Sequence, residues 1–360
     1  MKFMAVAALA ICCCAAAAAT PPDPALIAAD NAFGLKLLKS LPADAAGNVV
    51  ISPTSIAMAL QIVYNGAKGP TQQAMAAALQ LNALGRDQVN AANQALQASL
   101  ANPGPQNQLT IANSLWVRHG GRDIEPAFTL INKQYYAAEL GDLAGAPDNV
   151  NTWISQKTQG LIPQLLPQKD YRDAVAIIAN AIYFKGAWSD PFDPHQTVPE
   201  LFTAGSGPRV NCLMMKQHRH MPYFQAPEFA AIRLTYGPDR RLSMLILLPN
   251  SGHNLTSVAA GVTADSVKQW LAQLRSTDVA LSLPRFKVSY QKALPSALQA
   301  LGMGIAFDPR RGDLSGIAPQ TYLSDVDHAA LVQVWRAEDR VQRRHDRHAQ
   351  LAQKRAGSSG

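Results

Sequence analysis

The sequence predicts an α+β fold in one large domain, and three observations predict it. Helical periodicity prevails up to Gly160 and strand patterns prevail beyond it, with no fixed repeat and no regular strand–helix alternation. Val175 to Phe184 is a continuous apolar run of the kind that lies buried inside a sheet. The chain has 360 residues, 48% hydrophobic and 16% charged, a globular composition with enough apolar residues for a sizeable core.

In order along the chain, Asp30 to Leu41 sets Phe33, Leu35, Leu37, Leu38 and Leu41 in a helical pattern that Pro42 ends. Asn48 to Ile51 reads as a short β run. Ser52 then caps a helix with Pro53 in its first turn and Ile56, Ala59, Leu60 and Val63 as its buried stripe, broken by Gly66 and Gly69. Thr71 to Leu79 and Gln88 to Leu100 are helices, the second closed by Pro103-Gly104-Pro105. Leu109 to Val117 alternates as a strand, Pro126 to Glu139 returns to helix, and Val150 to Leu161 is helical up to Gly160. Past the apolar run, Val210 to Met215, Ala230 to Thr235 and Leu242 to Leu248 read as strands, the last stopped by Pro249-Asn250-Ser251-Gly252. Thr263 to Leu274 is a helix, Val279 to Leu283 and Arg285 to Ser289 are strands split by Pro284, Leu294 to Leu301 is a helix, and Ala329 to Val334 is a last strand.

The amino end reads as a secretory signal over residues 1–19: Lys2, an apolar stretch from Met4 to Cys14, then Ala17-Ala18-Ala19 before Thr20. The apolar run is too short for a membrane span and leads into Pro21-Pro22-Asp23-Pro24. Lipid attachment at Cys12 is disfavoured by the bulky Ile11 before it. Cys12, Cys13 and Cys14 leave with the signal, so the mature, secreted chain keeps Cys212 alone and has neither an internal disulfide nor a cysteine-ligated metal. The net charge of +7 suggests a nucleic-acid partner until it is located. Residues 335–360 hold seven Lys/Arg against three acids and Lys2 supplies another charge, so the body is nearly balanced. It has no electrostatic footprint for a phosphate backbone.

Motifs for catalysis are absent. There is no P-loop, no HExxH and no GxSxG, and Gly302-Met303-Gly304 lacks the third glycine of a dinucleotide site. His218 and His220 can share a strand face as metal ligands, but no carboxylate or third histidine stands near them in sequence. Ser, His and Asp residues are present with nothing in the spacing to pair a nucleophile with a base. Arg311-Gly312-Asp313 spells an adhesion tripeptide and Asn254-Leu255-Thr256 a glycosylation sequon, both short enough to arise by chance. The expectation is a protein that is not an enzyme and carries no metal or cofactor.

Longer strings point elsewhere. They include Asn48-Val49-Val50-Ile51-Ser52-Pro53-Thr54-Ser55-Ile56, then Tyr64-Asn65-Gly66-Ala67-Lys68-Gly69-Pro70-Thr71, and Thr158-Gln159-Gly160-Leu161-Ile162. Asn180-Ala181-Ile182-Tyr183-Phe184-Lys185-Gly186-Ala187-Trp188, with Phe192, is the most specific. Met214-Met215, Leu247-Leu248-Pro249, Leu283-Pro284-Arg285-Phe286, Asp313-Leu314-Ser315-Gly316, Leu323-Ser324 and Val326-Asp327-His328-Ala329-Ala330 follow in order. Together, over about residues 26 to 334, they resemble the serpins.

That resemblance implies a serpin-like fold, with helices around a large mixed central sheet plus smaller sheets, over residues 20–334. It implies a monomeric inhibitor of serine or cysteine proteases. In the family a protease cleaves an exposed loop, which inserts as a new central strand while the enzyme stays covalently attached. The resemblance assigns Pro53, Phe184, Gly186 and Trp188 to the structural core. It assigns Ser52, Ser55, Asn180 and His328 to a polar cluster that governs sheet opening, expected to be joined by hydrogen bonds because a buried cluster left unpaired is costly.

The departure comes after Val334. Where the family continues with an acidic pair, Gly-Thr-Glu and a run of small residues, this chain reads Trp335-Arg336-Ala337-Glu338-Asp339-Arg340 and on through Arg343-Arg344-His345-Asp346-Arg347. Residues 335–360 are expected to form a basic, disordered tail, with the reactive loop and the last strands missing. Shifted forward by one nucleotide, the codons for Asp339 to Arg347 can encode Thr-Glu-Ser-Ser-Ala-Ala-Thr-Thr, which predicts a frameshift near codon 335. The alternative is a non-inhibitory secreted scaffold or a truncated, poorly folding product.

Overall fold

The structure is a computed structural model that describes residues 21–118, 123–203 and 209–334. The expected signal, residues 1–19, and the expected tail, residues 335–360, lie outside the described residues. The chain opens with helices α1 (Pro24–Ser40), α2 (Pro53–Tyr64), α3 (Gly69–Ala78) and α4 (Arg86–Ala101). Strand β1 (Gln108–Val117), helix α5 (Pro126–Tyr136), strand β2 (Glu139–Asp142), helix α6 (Asp148–Lys157) and strand β3 (Ala176–Lys185) follow. Then come β4 (Thr197–Thr203), β5 (Arg209–Gln225), β6 (Phe229–Tyr236), β7 (Leu242–Pro249), α7 (Leu255–Ala260), α8 (Ala264–Gln273), β8 (Arg275–Pro284), β9 (Phe286–Ala293), α9 (Pro295–Leu298) and β10 (Asp325–Val334).

Five strands form the main sheet in the order β2-β1-β3-β10-β9, and β4-β5-β6-β7 form a second sheet, with β8 also pairing to β5. The centre of the main sheet is a parallel pair, β3 with β10, in which His328 lies opposite Asn180. One face of this sheet packs on α1, α2 and α9 through Phe33, Leu37, Leu60, Ile178, Leu298 and Val326. The other face lies under α6 and the 158–175 segment, where Trp153, Ile154, Leu165, Leu166 and Tyr171 cover Ile177, Ala179 and Ala329. Cores of this size on both faces of one sheet remove most of its apolar surface from water, the main favourable term in folding.

Of the core residues that the resemblance assigns, Pro53 packs between α1 and α2, while Phe184 and Trp188 pack in the core of the second sheet. Ser52 Oγ accepts the Ser55 N–H and caps α2, with Pro53 in the first turn. Pro53 packs so tightly on α1 that a Cβ on Gly34 would lie 2.1 Å from Pro53 Cβ. Tyr236 takes the Trp188 ring stacked at 4.3 Å and the Phe184 ring edge-on at 5.0 Å. Gly186 makes room for this, since a Cβ there would meet Phe184 and Tyr236 at 2.7 Å.

Several elements depart from the sequence reading. Helix α1 starts at Pro24 rather than Asp30, because Asp23 caps it by accepting the Ala25 N–H at 2.8 Å. Residues 48–51 are not a strand: no neighbouring strand of the described residues pairs with them, and Asn48 closes a local loop on Asp44 instead. The helix expected to reach Glu139 ends at Tyr136, and residues 139–142 become strand β2. Strand β5 runs ten residues past Met215, because β8 pairs with it from Met214 to Tyr223 while Lys216, His218 and His220 point outward. Strand β4 carries Pro199 and lies in a stretch that the sequence reading leaves unassigned; it pairs with β5 on one side only, where a missing N–H is tolerated.

Candidate functional site

The four polar residues expected beneath the main sheet lie together. Asn180 on β3 and His328 on β10 are in register across the parallel pair, and both point towards the amino end of α2. Asn180 Oδ1 can only accept, so the 2.5 Å contact places a proton on His328 Nδ1 and leaves Nε2 as the acceptor for the Ser52 N–H at 3.4 Å. Asn180 Nδ2 donates to the Ser55 carbonyl at 3.1 Å and to Ser55 Oγ at 2.5 Å. Ser52 therefore meets His328 through its backbone, while its hydroxyl is used as the helix cap.

The site is dry. Ser55, Asn180 and His328 are each no more than 1% exposed. Burial drives the His328 pKa down to about 3, so the ring is neutral at ordinary pH. A fifth member, missed in the sequence, is Asn113 on β1: its Oδ1 accepts from Asn180 Nδ2 at 2.5 Å. Only the register of β1 against β3 could have found it. The arrangement is a hydrogen-bonded cluster that spans β1, β3 and β10 and joins them to one helix end. It contains no nucleophile–base pair.

A second buried network lies between α1, α2, α4 and α5. Gln61 Nε2 donates to Asp30 Oδ1 at 2.9 Å, Asn93 Nδ2 donates to Gln61 Oε1 at 2.8 Å, and the Tyr136 hydroxyl donates to Asn90 Oδ1 at 2.8 Å. Asp30 is 1% exposed and its Oδ2 has no hydrogen-bond partner. Burial pushes its carboxyl up to about 8, against the pull of the Gln61 bond.

Other sequence features resolve as follows. His218 does meet a carboxylate, Asp278 at 3.2 Å, which the β5–β8 pairing brings across from β8 and which sequence spacing concealed. Even so, no group of three His, Cys, Asp or Glu among the described residues is arranged to hold a metal ion. Asp313 of the adhesion tripeptide is fastened inward, its N–H donating to Thr71 Oγ1 and its Oδ1 accepting from Ser315. Asn254 of the sequon is the N-cap of α7. Cys212 is half-buried, and burial together with Glu200 pushes its thiol pKa up, which leaves it a poor nucleophile. Among the described residues, no helix is long and apolar enough to cross a membrane.

Residues 28–355 match the family model for Serpin (serine protease inhibitor). The chain is 33% identical over 322 residues to human Serpin B9, covering 85% of this chain and 84% of that protein. It is 30% identical over 325 residues to Iripin-2 of Ixodes ricinus, covering 86% and 80%. Among solved structures, the thermophilic serpin Tengpin in its native state superposes with a TM-score of 0.82 at 24% identity, covering 92% of this chain and 84% of that one. Native protease nexin-1, solved with heparin, superposes with a TM-score of 0.79 at 26% identity, covering 86% and 88%.

Proposed function

The chain belongs to the serpin family, a family of serine protease inhibitors, and from that premise we propose that it carries the inhibitor's sheet machinery but, as written, does not trap a protease. It acts as a ligand of proteases or of nothing, not as an enzyme. The Ser52, Ser55, Asn180 and His328 cluster is the latch that must open for β3 and β10 to separate and admit a strand between them. Its position at the one parallel pair in the centre of the sheet supports that role. The leader pattern over residues 1–19 supports export of the mature chain.

One observation carries the non-inhibitory reading: the residues that continue β10 into the family's hinge are Trp335, Arg336, Glu338, Asp339 and Arg340. A hinge enters a sheet because small side chains slip between strands. These would have to be stripped of water on entry, at several kcal/mol for each charge. The test is to incubate the purified chain with trypsin-like, chymotrypsin-like and elastase-like proteases and look for a complex that survives SDS. None is expected. A gene with the frame shifted by one nucleotide after codon 334 is expected to yield such a complex; a covalent complex with the unshifted chain would refute the reading.

A further inference from the structure

The two faces of β10 differ in a way the latch does not explain. His328 faces α2, whereas Asp327, the residue before it, faces the opposite side of the sheet and is 3% exposed. That side is roofed by α6 and the 158–175 segment. Asn151 of α6 fastens the roof: its Oδ1 accepts from the Leu165 and Leu166 N–H groups, each at 2.8 Å, and its Nδ2 donates to the Leu166 carbonyl at 2.9 Å. Asp327 Oδ2 has no hydrogen-bond partner beneath it. Two residues earlier on the same face, Asp325 is bound by Lys169 of the roof at 3.2 Å.

The groups that face Asp327 can be named from each element around it. On its own strand there is Asp325, and the roof segment supplies Lys169 and Tyr171. Strands β3 and β9 set Ala179 and Ala293 beside it in register. The buried residues of α6, Val150, Asn151, Trp153 and Ile154, carry no charge. Among the described residues, Lys169 is the cation that acts on Asp327, and it is already bound to Asp325, while Arg118 is held by the Tyr171 and Ala174 carbonyls. An ionised carboxylate here has a like charge beside it and a buried Oδ2 without a donor, so its protonated form suits the roof better.

We propose that Asp327 is a proton-controlled catch between β10 and its roof: protonated, it lets α6 and the 158–175 segment close over the sheet, and on ionisation it loosens that roof and the β3–β10 pair beneath. Burial and the Asp325 charge push the carboxyl up to about 8 against the pull of Lys169, so closure weakens as pH rises towards 8 and levels off above it. The catch does not depend on whether the chain traps a protease.

Hydrogen exchange of the full chain between pH 6.5 and 9, corrected for the chemical exchange rate, tests it. Amides of residues 158–175 and of β10 are expected to lose protection about tenfold across that range as the group ionises. In Asp327→Asn this loss should vanish, while Asp30→Asn, which alters the buried carboxyl elsewhere, should keep it. Lys169→Gln changes a half-exposed side chain and should move the midpoint to higher pH. Protection that does not vary with pH, an Asp327→Asn response equal to that of the unaltered chain, or an unshifted midpoint in Lys169→Gln would each overturn the proposal.

Discussion

Asp30→Asn is expected to stabilise the fold by about 5 kcal/mol at pH 9 and hardly at all at pH 4, a difference readable from denaturant titrations at the two pH values. The folded carboxyl titrates near 8 and an unfolded aspartate near 4. The folded state therefore holds a proton that the unfolded state has lost, and stability falls as pH rises through that window. The contribution is complete below about pH 4 and gone above about pH 8. Asparagine keeps the carbonyl that accepts from Gln61 Nε2 and cannot ionise, so it keeps the packing and removes the alkaline loss. An equal effect of the substitution at both pH values would show that Asp30 is charged in the folded chain.

His328→Ala is expected to cost about 3 kcal/mol, lowering the thermal midpoint by several degrees. The substitution leaves a void and strips the donor from Asn180 Oδ1 and the acceptor from the Ser52 N–H, in a site with almost no water access. The pH dependence has the opposite sign to that of Asp30. With the folded imidazole pKa near 3 and the unfolded one near 6.5, the contribution of His328 is present above about pH 6.5 and is lost as pH falls towards 3. His328→Ala should accordingly flatten the acid side of the stability profile. Unchanged stability in this variant would remove the cluster from any account of the sheet.

Local signals were legible wherever one segment contained its own cause. The Ser52-Pro53 start of α2 and the buried strand β3 follow from residues that act within a few positions of one another. What stayed hidden depends on which strands meet. Ser52 and His328 are 276 residues apart and only the family strings tied them together. Asn113 joins the cluster through the register of β1, and Asp278 reaches His218 through the register of β8. Asp327 reads as an ordinary polar residue of a strand end until the roof above it is known. The reading of residues 48–51 as a strand failed for the same reason, since alternation proposes a strand but a neighbour must accept it.

The parallel pairing of β3 with β10 also bears on how the chain is made. All of β4 to β9 is synthesised between the two partners, so the middle of the main sheet cannot close until the ribosome has released residues close to Val334. While β4 to β9 are being made, β3 presents an apolar, unpaired edge, a prime target for misassociation and for chaperone capture. Closing so distant a contact is slow. Yield in a host should therefore respond more to elongation speed and chaperone supply than to small gains in the stability of the finished fold.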